Sequence, residues 1–327
     1  MIITKTPFRI SFFGGGTDYP AWYREKGGAV LSTTINKYCY ITCRKLPPFF
    51  EHKSRIVWSL VENVKGNDEI KHPSVREALK YLGFNDGISI LHEGDLPART
   101  GLGSSSSFTV GLLNAIHALQ GKMIAKMDLA KMAIHIEQNI LNENVGSQDQ
   151  IAAAFGGFNK IEFNGEHNFR LNPISINKEK IRHLKNHLLL FFTGISRTAS
   201  DIAREQIKSI PNKTNELIAM HKMVDEAIHI LNSSADICDF GKLLNDSWML
   251  KRSLSDKIST SYIDEMYDAA MKSGALGGKL LGAGGGGFIL LFVKPEYQLP
   301  VRLALKNLLE VPFDFEDSGS QIIFYNP

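Results

Sequence analysis

Cysteine is scarce in this chain: 327 residues hold only Cys39, Cys43 and Cys238. These form neither a CxxC pair nor an even set, which leaves no disulfide framework to build on. Cys39 and Cys43 fall in an apolar, strand-like stretch and read as buried structural thiols. Ten histidines are present without an HExxH, and His183 and His187, four apart, suit a surface helix better than a zinc site. Charge of one sign is missing too. Lysine and arginine number 37 against 34 aspartates and glutamates, a net charge of +3, with no basic run. That dispersed balance excludes the electrostatic footprint of a nucleic-acid-binding protein. The longest strongly apolar run near the end, Phe288 to Val293, is far too short to span a bilayer. The first residues carry Lys5 and Arg9 but no apolar stretch ending in a small-residue cleavage site. The expectation is a cytoplasmic protein, monomer or homodimer, with neither nucleic acid nor membrane as partner.

What is present has an ordinary globular composition, 43% hydrophobic and 22% charged. At this length two domains are the default, and a boundary near residue 180 divides the chain into 1–180 and 181–327. β-Branched and aromatic runs predict strands over 1–13, 29–44, 55–61, 88–92, 158–163, 188–192 and 321–325. A buried strand also follows the glycine cluster within 279–293. Apolar residues at helical spacing predict helices over 75–82, 108–119, 129–141, most of 200–271, and 301–309. Strands and helices mix without regular βαβ alternation, which favours an α+β fold.

The most informative stretch is 96–108, where Gly101 and Gly103 run into Ser104, Ser105, Ser106 and Ser107 and then an apolar helical pattern. Glycines expose backbone N–H groups, serines add hydroxyls, and a helix start adds partial positive charge, together a recipe for holding phosphate. An anion at such an end gains about 0.3–1 kcal/mol. A glycine–serine turn with a serine cap is the plainer alternative. Gly282 to Gly287 formally satisfies GxGxxG, but these glycines precede a strand and open no helix, so the dinucleotide reading is rejected. No Walker A sequence occurs, since each Gly-Lys pair is followed by Met or Leu, and HRD and DFG triplets are absent.

Three glycine-rich segments remain, 12–18, 100–107 and 282–287, with Glu137 and Asp149 between the last two. Phosphoryl transfer to an alcohol needs a phosphate cradle, a divalent metal, a carboxylate near the attacking hydroxyl and a cation. Taken singly, Asp149 also suits a helix N-cap, Glu137 a solvated helix face, Arg9 a strand edge, and the glycines at 284–287 close backbone packing.

The ordered set resembles the superfamily of galactokinase, homoserine kinase, mevalonate kinase and phosphomevalonate kinase (GHMP). Its first motif is matched by Phe8 to Tyr19, its second by Gly101 to Ser107, and its third by Leu281 to Gly287. The resemblance implies a two-domain GHMP kinase fold, an N-terminal α/β domain with a C-terminal ferredoxin-like domain, using ATP and Mg2+. It implies that Thr100, Gly101, Leu102, Gly103 and Ser104 to Ser107 wrap the ATP phosphates, and that Ser105 and Glu137 ligate magnesium. Asp149 would be the catalytic aspartate, Arg9 would stabilise transition-state charge, and Asp18 would bind sugar hydroxyls.

Where galactokinases have Gly-Glu-His-Thr-Asp-Tyr, this chain has Gly14-Gly15-Gly16-Thr17-Asp18-Tyr19. Gly15 removes bulk and negative charge near the far end of the sugar, which suggests a longer or anionic substrate. Gly-Gly-Gly-Thr-Asp, Gln148-Asp149-Gln150 and the segment 193–197 resemble the branch containing heptose 7-phosphate kinases and fucokinases. That branch implies a phosphorylated heptose or related sugar as substrate, held by Gly15, Gly16, Thr17, Asp18, Gly284 and Gly285. Arg197, Lys279, Arg99 and Lys5 are the candidate cations for its phosphate. Trp58 is a candidate for the adenine pocket, with an ordinary core tryptophan as the plainer reading. A sugar-binding regulator without turnover is the alternative of another class.

Overall fold

Two long strands, β1 (Ile2–Phe13) and β2 (Gly28–Lys45), pair antiparallel around a short helix, α1 (Pro20–Lys26), that begins with proline at its first position. The computed structural model describes residues 1–165, 168–195 and 199–327. The free edge of β2 is divided among later segments. Residues 28–33 pair with β6 (Phe158–Phe163), and 39–45 pair with β5 (Ile88–Gly94). The hairpin of β3 (Ser54–Val57) and β4 (Val61–Val64) extends the sheet beyond β5, and β7 (Phe169–Pro173) pairs with β6. Pro7, which has no N–H for the ladder, coincides with a bulge between β1 and β2, two residues before Arg9.

Helix α2 (Pro73–Tyr81) precedes β5; α3 (Ser104–Leu119), α4 (Lys126–His135) and α5 (Gln148–Phe155) follow it. Of these, α3 and α5 pack on β1 and β2, and α4 packs on α3 and α5. Buried Leu112, Ala115, Ile116 and Leu119 form the apolar stripe of α3 expected from its spacing.

After α6 (Lys178–Asn186) the chain builds a second sheet from β8 (Leu188–Phe192), β9 (Ala275–Leu280), β10 (Phe288–Val293) and β11 (Leu309–Glu310), in the order β11-β8-β10-β9. Helices α7 (Ala199–Ser209), α8 (Thr214–Asn232), α9 (Ile237–Ser253) and α10 (Ser261–Lys272) link β8 to β9, and α11 (Gln298–Ala304) links β10 to β11. This is a ferredoxin-like βαββαβ order enlarged by extra helices, as the family resemblance implied. The halves join through rings: Phe240 of α9 meets Phe12 and Phe13 edge-on at 5.4 and 5.1 Å.

Several details depart from the periodicity. The strand expected over 55–61 is a hairpin, closed by Trp58 N–H donating to Leu60 O. The helix expected over 129–141 ends at His135 and continues as one π turn, Ile136–Ile140. The helix expected over 301–309 stops at Ala304, and β7 was not foreseen. The boundary at 180 separates the sheets except at the end of the chain. There β12 (Phe315–Glu316) pairs with β2, and β13 (Gln321–Tyr325) pairs with β1, so residues 315–325 belong to the first sheet. Among the described residues no helix is long and apolar enough to cross a membrane.

Candidate active site

The three glycine segments meet backbone to backbone. Arg9 N–H donates to Leu102 O at 3.0 Å, and Phe288 N–H donates to Thr100 O at 3.2 Å. A Cβ on Gly101 would stand 2.3 Å from Leu281 O, and one on Gly282 would stand 2.4 Å from Gly101 Cα. Both glycines also have φ in the left-handed region, so no other residue lets the loops close.

Helix α3 opens at Ser104, after Gly103 at φ 76, with no side-chain cap. The first intrahelical bond is Ser107 N–H to Gly103 O, which leaves the N–H groups of Ser104, Ser105 and Ser106 without intrahelical partners. Helix geometry then sends the four hydroxyls to different places. Ser104 Oγ accepts from Arg99 N–H at 3.2 Å, and Ser107 Oγ donates to Pro7 O at 2.8 Å. Ser106 Oγ donates to Glu137 Oε2 at 2.8 Å, whereas Ser105 is exposed. The structure therefore joins Ser106, not the expected Ser105, to the candidate metal carboxylate.

Glu137 sits in the π turn, a distortion frequent at functional sites. It is 1% exposed, and Gln150 also donates to Oε2. Oε1 is buried without a partner, and burial raises the carboxyl to about 7. A buried carboxyl with one oxygen unpartnered in this way has a lone pair that a ligand can take up.

Asp149, in the first turn of α5, does not cap its own helix. Its Oδ1 and Oδ2 accept from Arg9 Nε at 2.7 Å and Nη2 at 2.8 Å, a bidentate pair, while Arg9 Nη1 donates to Gly101 O at 2.6 Å. Gln148 and Gln150 flank Asp149 and fan out by helix geometry. Gln148 Nε2 donates to Asp18 Oδ2 at 2.9 Å, and Gln150 reaches Glu137. Three consecutive residues thus place one site carboxylate each. Asp18 also accepts from Gly16 N–H, and burial raises its pKa. Gly146 must be glycine because Asp18 lies where its Cβ would go.

Other expected residues are structural. Thr17 Oγ1 is fully buried, within hydrogen-bond distance of Gly14 O and Ala29 O and accepting from Ala29 N–H, so it fixes the first loop. Thr100 Oγ1 donates to Pro97 O, and Leu102 is fully buried. Gly284 packs on Ile258, and Gly285 N–H donates to Ile258 O, so both serve loop packing rather than presenting groups to substrate. Lys5 lies over the Tyr38 ring at 4.3 Å, and Arg99 is exposed. Arg197 lies outside the described residues. Gly15 is buried, and a Cβ there would sit in ordinary contact, 4.0 Å from Gln148 Nε2 and Ser11 Oγ, so a first side-chain atom meets no clash.

Lys279 is buried near the first loop, and with it lies Lys251 of α9, which no motif marks. The signal for Lys251 was a lysine on the apolar face set by Leu244, Trp248 and Leu254. Trp58 is no core residue. It donates to Glu62 Oε1 and stands edge-on at 4.9 Å to His72, whose ring stacks on Phe108 of α3 at 4.6 Å.

Free amides at the head of α3 suit a phosphate, and Asp149 beside them suits a hydroxyl; such a site defines a small-molecule phosphotransferase. Residues 71–157 match the model of the GHMP kinases N terminal domain and 221–310 that of GHMP kinases C terminal, and the chain belongs to the GHMP kinases. It is 32% identical to the D-glycero-alpha-D-manno-heptose 7-phosphate kinase of Campylobacter jejuni, over 97% of both chains. A crystal structure titled D-glycero-D-manno-heptose 1-phosphate kinase, from Bacteroides thetaiotaomicron, superposes with a TM-score of 0.81 over 100% of both chains at 24% identity. The L-fucokinase/L-fucose-1-P guanylyltransferase of Bacteroides fragilis is 26% identical over 92% of this chain and 35% of that protein.

Proposed function

We propose that this kinase, working in the cytoplasm, transfers the γ-phosphate of ATP to the anomeric hydroxyl of D-glycero-D-manno-heptose 7-phosphate, giving the 1,7-bisphosphate used to make nucleotide-activated heptose. The observation that carries the reaction is the contact at Gly103 between the nucleotide loop and the Arg9–Asp149 pair. A Cβ on Gly103 would lie 3.3 Å from Arg9 Cγ and 3.4 Å from Asp149 Oδ2. The phosphate cradle and the acceptor carboxylate are therefore one residue apart in space. The substrate reading rests on the named relative at 32% identity and on the lack of a side chain at Gly15.

The amides of Ser104 to Ser106 donate to the nucleotide phosphates. Magnesium fits the Glu137 pocket: the unpartnered Oε1 and the Ser106 hydroxyl offer hard oxygens, and this ion takes one or two carboxylates with phosphate and water as the rest. When bound it supplies neutralisation of phosphate charge. Asp149 accepts a hydrogen bond from the anomeric hydroxyl and takes its proton as the sugar oxygen–γ-phosphorus bond forms and the bond from γ-phosphorus to the β,γ-bridging oxygen breaks, releasing ADP. Arg9, held on Asp149 and Gly101, adds fixed positive charge. Asp18, oriented by Gln148, accepts from a sugar hydroxyl, and the partly exposed Trp58 and His72, backed by buried Phe108, offer a stacking surface for adenine.

The test is ATP consumption with magnesium against heptose 7-phosphate, L-fucose and galactose, with the new phosphate located by phosphorus NMR. Turnover of the heptose phosphate at its anomeric oxygen supports the reading. Turnover of fucose alone replaces the substrate, and binding of sugar and ATP without transfer makes the protein a regulator.

A further inference from the structure

Two buried lysines lie among the glycine segments, Lys279 beside residues 14–16 and Lys251 beside Gly282. Lys279, in β9, is 2% exposed, and its Nζ donates to Phe12 O at 2.7 Å, two residues before Gly14. Lys251, on the inner face of α9, is 4% exposed and donates to Gly282 O. Leu254, one turn further along that face, reaches the same loop, with Cδ1 3.9 Å from where a Cβ on Gly16 would be.

Each ammonium has three donors, of which one is engaged. Among the described residues no carboxylate lies at ion-pair distance from either. The two charges act on each other, on Arg9 and on Asp18, and Lys251 also acts on Asp149. Like charges held together out of water are costly, and burial drives both lysines down, Lys251 to about 8. Buried, mutually opposed cations in a substrate site mark a place for an anion.

A third group points the same way. Gln206 of α7 is 3% exposed; its Oε1 accepts from Tyr19, but Nε2 is buried without a partner, 3.6 Å from where a Cβ on Gly16 would be. The nucleotide phosphates have their own donors at the head of α3, whereas Lys279 and Gln206 adjoin the first loop, on the side of Asp18.

We propose that Lys251 and Lys279 hold the phosphate that the sugar substrate already carries, with Gln206 Nε2 donating beside it. The assignment rests on the sugar-phosphate reading above. A phosphate monoester brings nearly two negative charges and three acceptor oxygens, which match two ammonium groups and an amide. The two lysines then act as specificity residues, selecting sugars by the phosphate they already carry.

The test compares Lys251→Met, Lys279→Met and Gln206→Leu with the parent enzyme, using heptose 7-phosphate and the unphosphorylated heptose as acceptors. Each lysine variant raises the KM for the phosphorylated sugar by roughly 10- to 100-fold, the worth of a charge-assisted hydrogen bond, while the KM for ATP stays within about twofold. The preference for phosphorylated over unphosphorylated sugar falls by the same factor. A rise in the KM for ATP instead assigns the lysines to the nucleotide and overturns the proposal. Equal loss with both sugars makes them structural and also overturns it. Should a variant fail to fold, the parent enzyme still decides. Inorganic phosphate must inhibit competitively against the heptose phosphate and not against ATP; the reverse pattern refutes the assignment. An enzyme that turns over only unphosphorylated sugar overturns both readings, whereas turnover of heptose 7-phosphate with unaltered KM in the variants overturns this one alone.

Discussion

Arg9 grips both carboxylate oxygens of Asp149, at 2.7 and 2.8 Å, with the arginine 5% and the aspartate 25% exposed at their side chains. The pair fixes the acceptor carboxylate in one rotamer and keeps its charge partnered. Asp149→Asn retains the shape and loses the proton acceptor. We expect turnover to fall about 1000-fold or more with ATP binding retained, measured by steady-state kinetics and nucleotide titration. Arg9→Met removes one side of the pair. It should lower kcat by about 100- to 1000-fold and stability by about 3 kcal/mol, read by urea unfolding. Near-normal turnover in Asp149→Asn would remove the aspartate from the chemistry.

The two central serines of the loop make a sharper comparison. Ser106→Ala withdraws the hydroxyl from Glu137 and should raise the magnesium concentration needed for half-maximal rate by about 10-fold or more. Ser105→Ala, at an exposed position, should change it by less than about twofold. Magnesium titrations of both variants check this; the opposite ranking would return the ligand role to Ser105.

Lys251 also sets a pH dependence. Its folded pKa, about 8, lies below the free value of 10.5, so between those limits the unfolded chain binds the extra proton. Stability contributed by this position therefore rises with pH across that window, by up to about 3 kcal/mol. Subtracting the unfolding free energy of Lys251→Met from that of the parent at pH 8, 9 and 10 isolates the effect. A flat difference would mean that the amine is not suppressed by burial.

A Cβ on Gly15 would meet nothing closer than 4.0 Å, and its φ lies outside the left-handed region. Gly15→Glu places a carboxylate in the first glycine loop, beside the sugar, and circular dichroism checks that the variant is folded. The expected result is at least about tenfold higher KM for the phosphorylated heptose, with ATP kinetics unchanged. Improved use of the phosphorylated sugar would contradict an anionic substrate beside this loop.

How much of this was legible in the sequence depends on how local the signal is. Gly101, Gly103, Gly282 and the serine run announce a phosphate loop, because loop conformation and helix starts are written in neighbouring residues. The order of the three segments carries the family. Which of four serines faces Glu137 is not local, since the answer depends on where α3 begins and how it leans on the sheet. Gln148 and Gln150 were read only as company for Asp149, yet their partners Asp18 and Glu137 are brought together by three separate elements. Lys251 was hidden in a long helical pattern where a lysine reads as solvated surface. Thr17, Gly284 and Gly285 are the converse case: each sits in a motif, and the contacts each makes hold a loop.

The last strand of the chain, β13, lies beside the first, with Gln321 opposite Lys5 and Tyr325 opposite Ile2. Contacts so distant in sequence close late. During synthesis at roughly 5–20 residues per second, β1 waits on the order of 15–60 s for this neighbour, with one row of its backbone groups unpaired. Ribosome-bound chains stalled before residue 321 should thus capture strand-binding chaperones, and the sheet that holds Arg9 is finished only after the rest of the catalytic apparatus has been made.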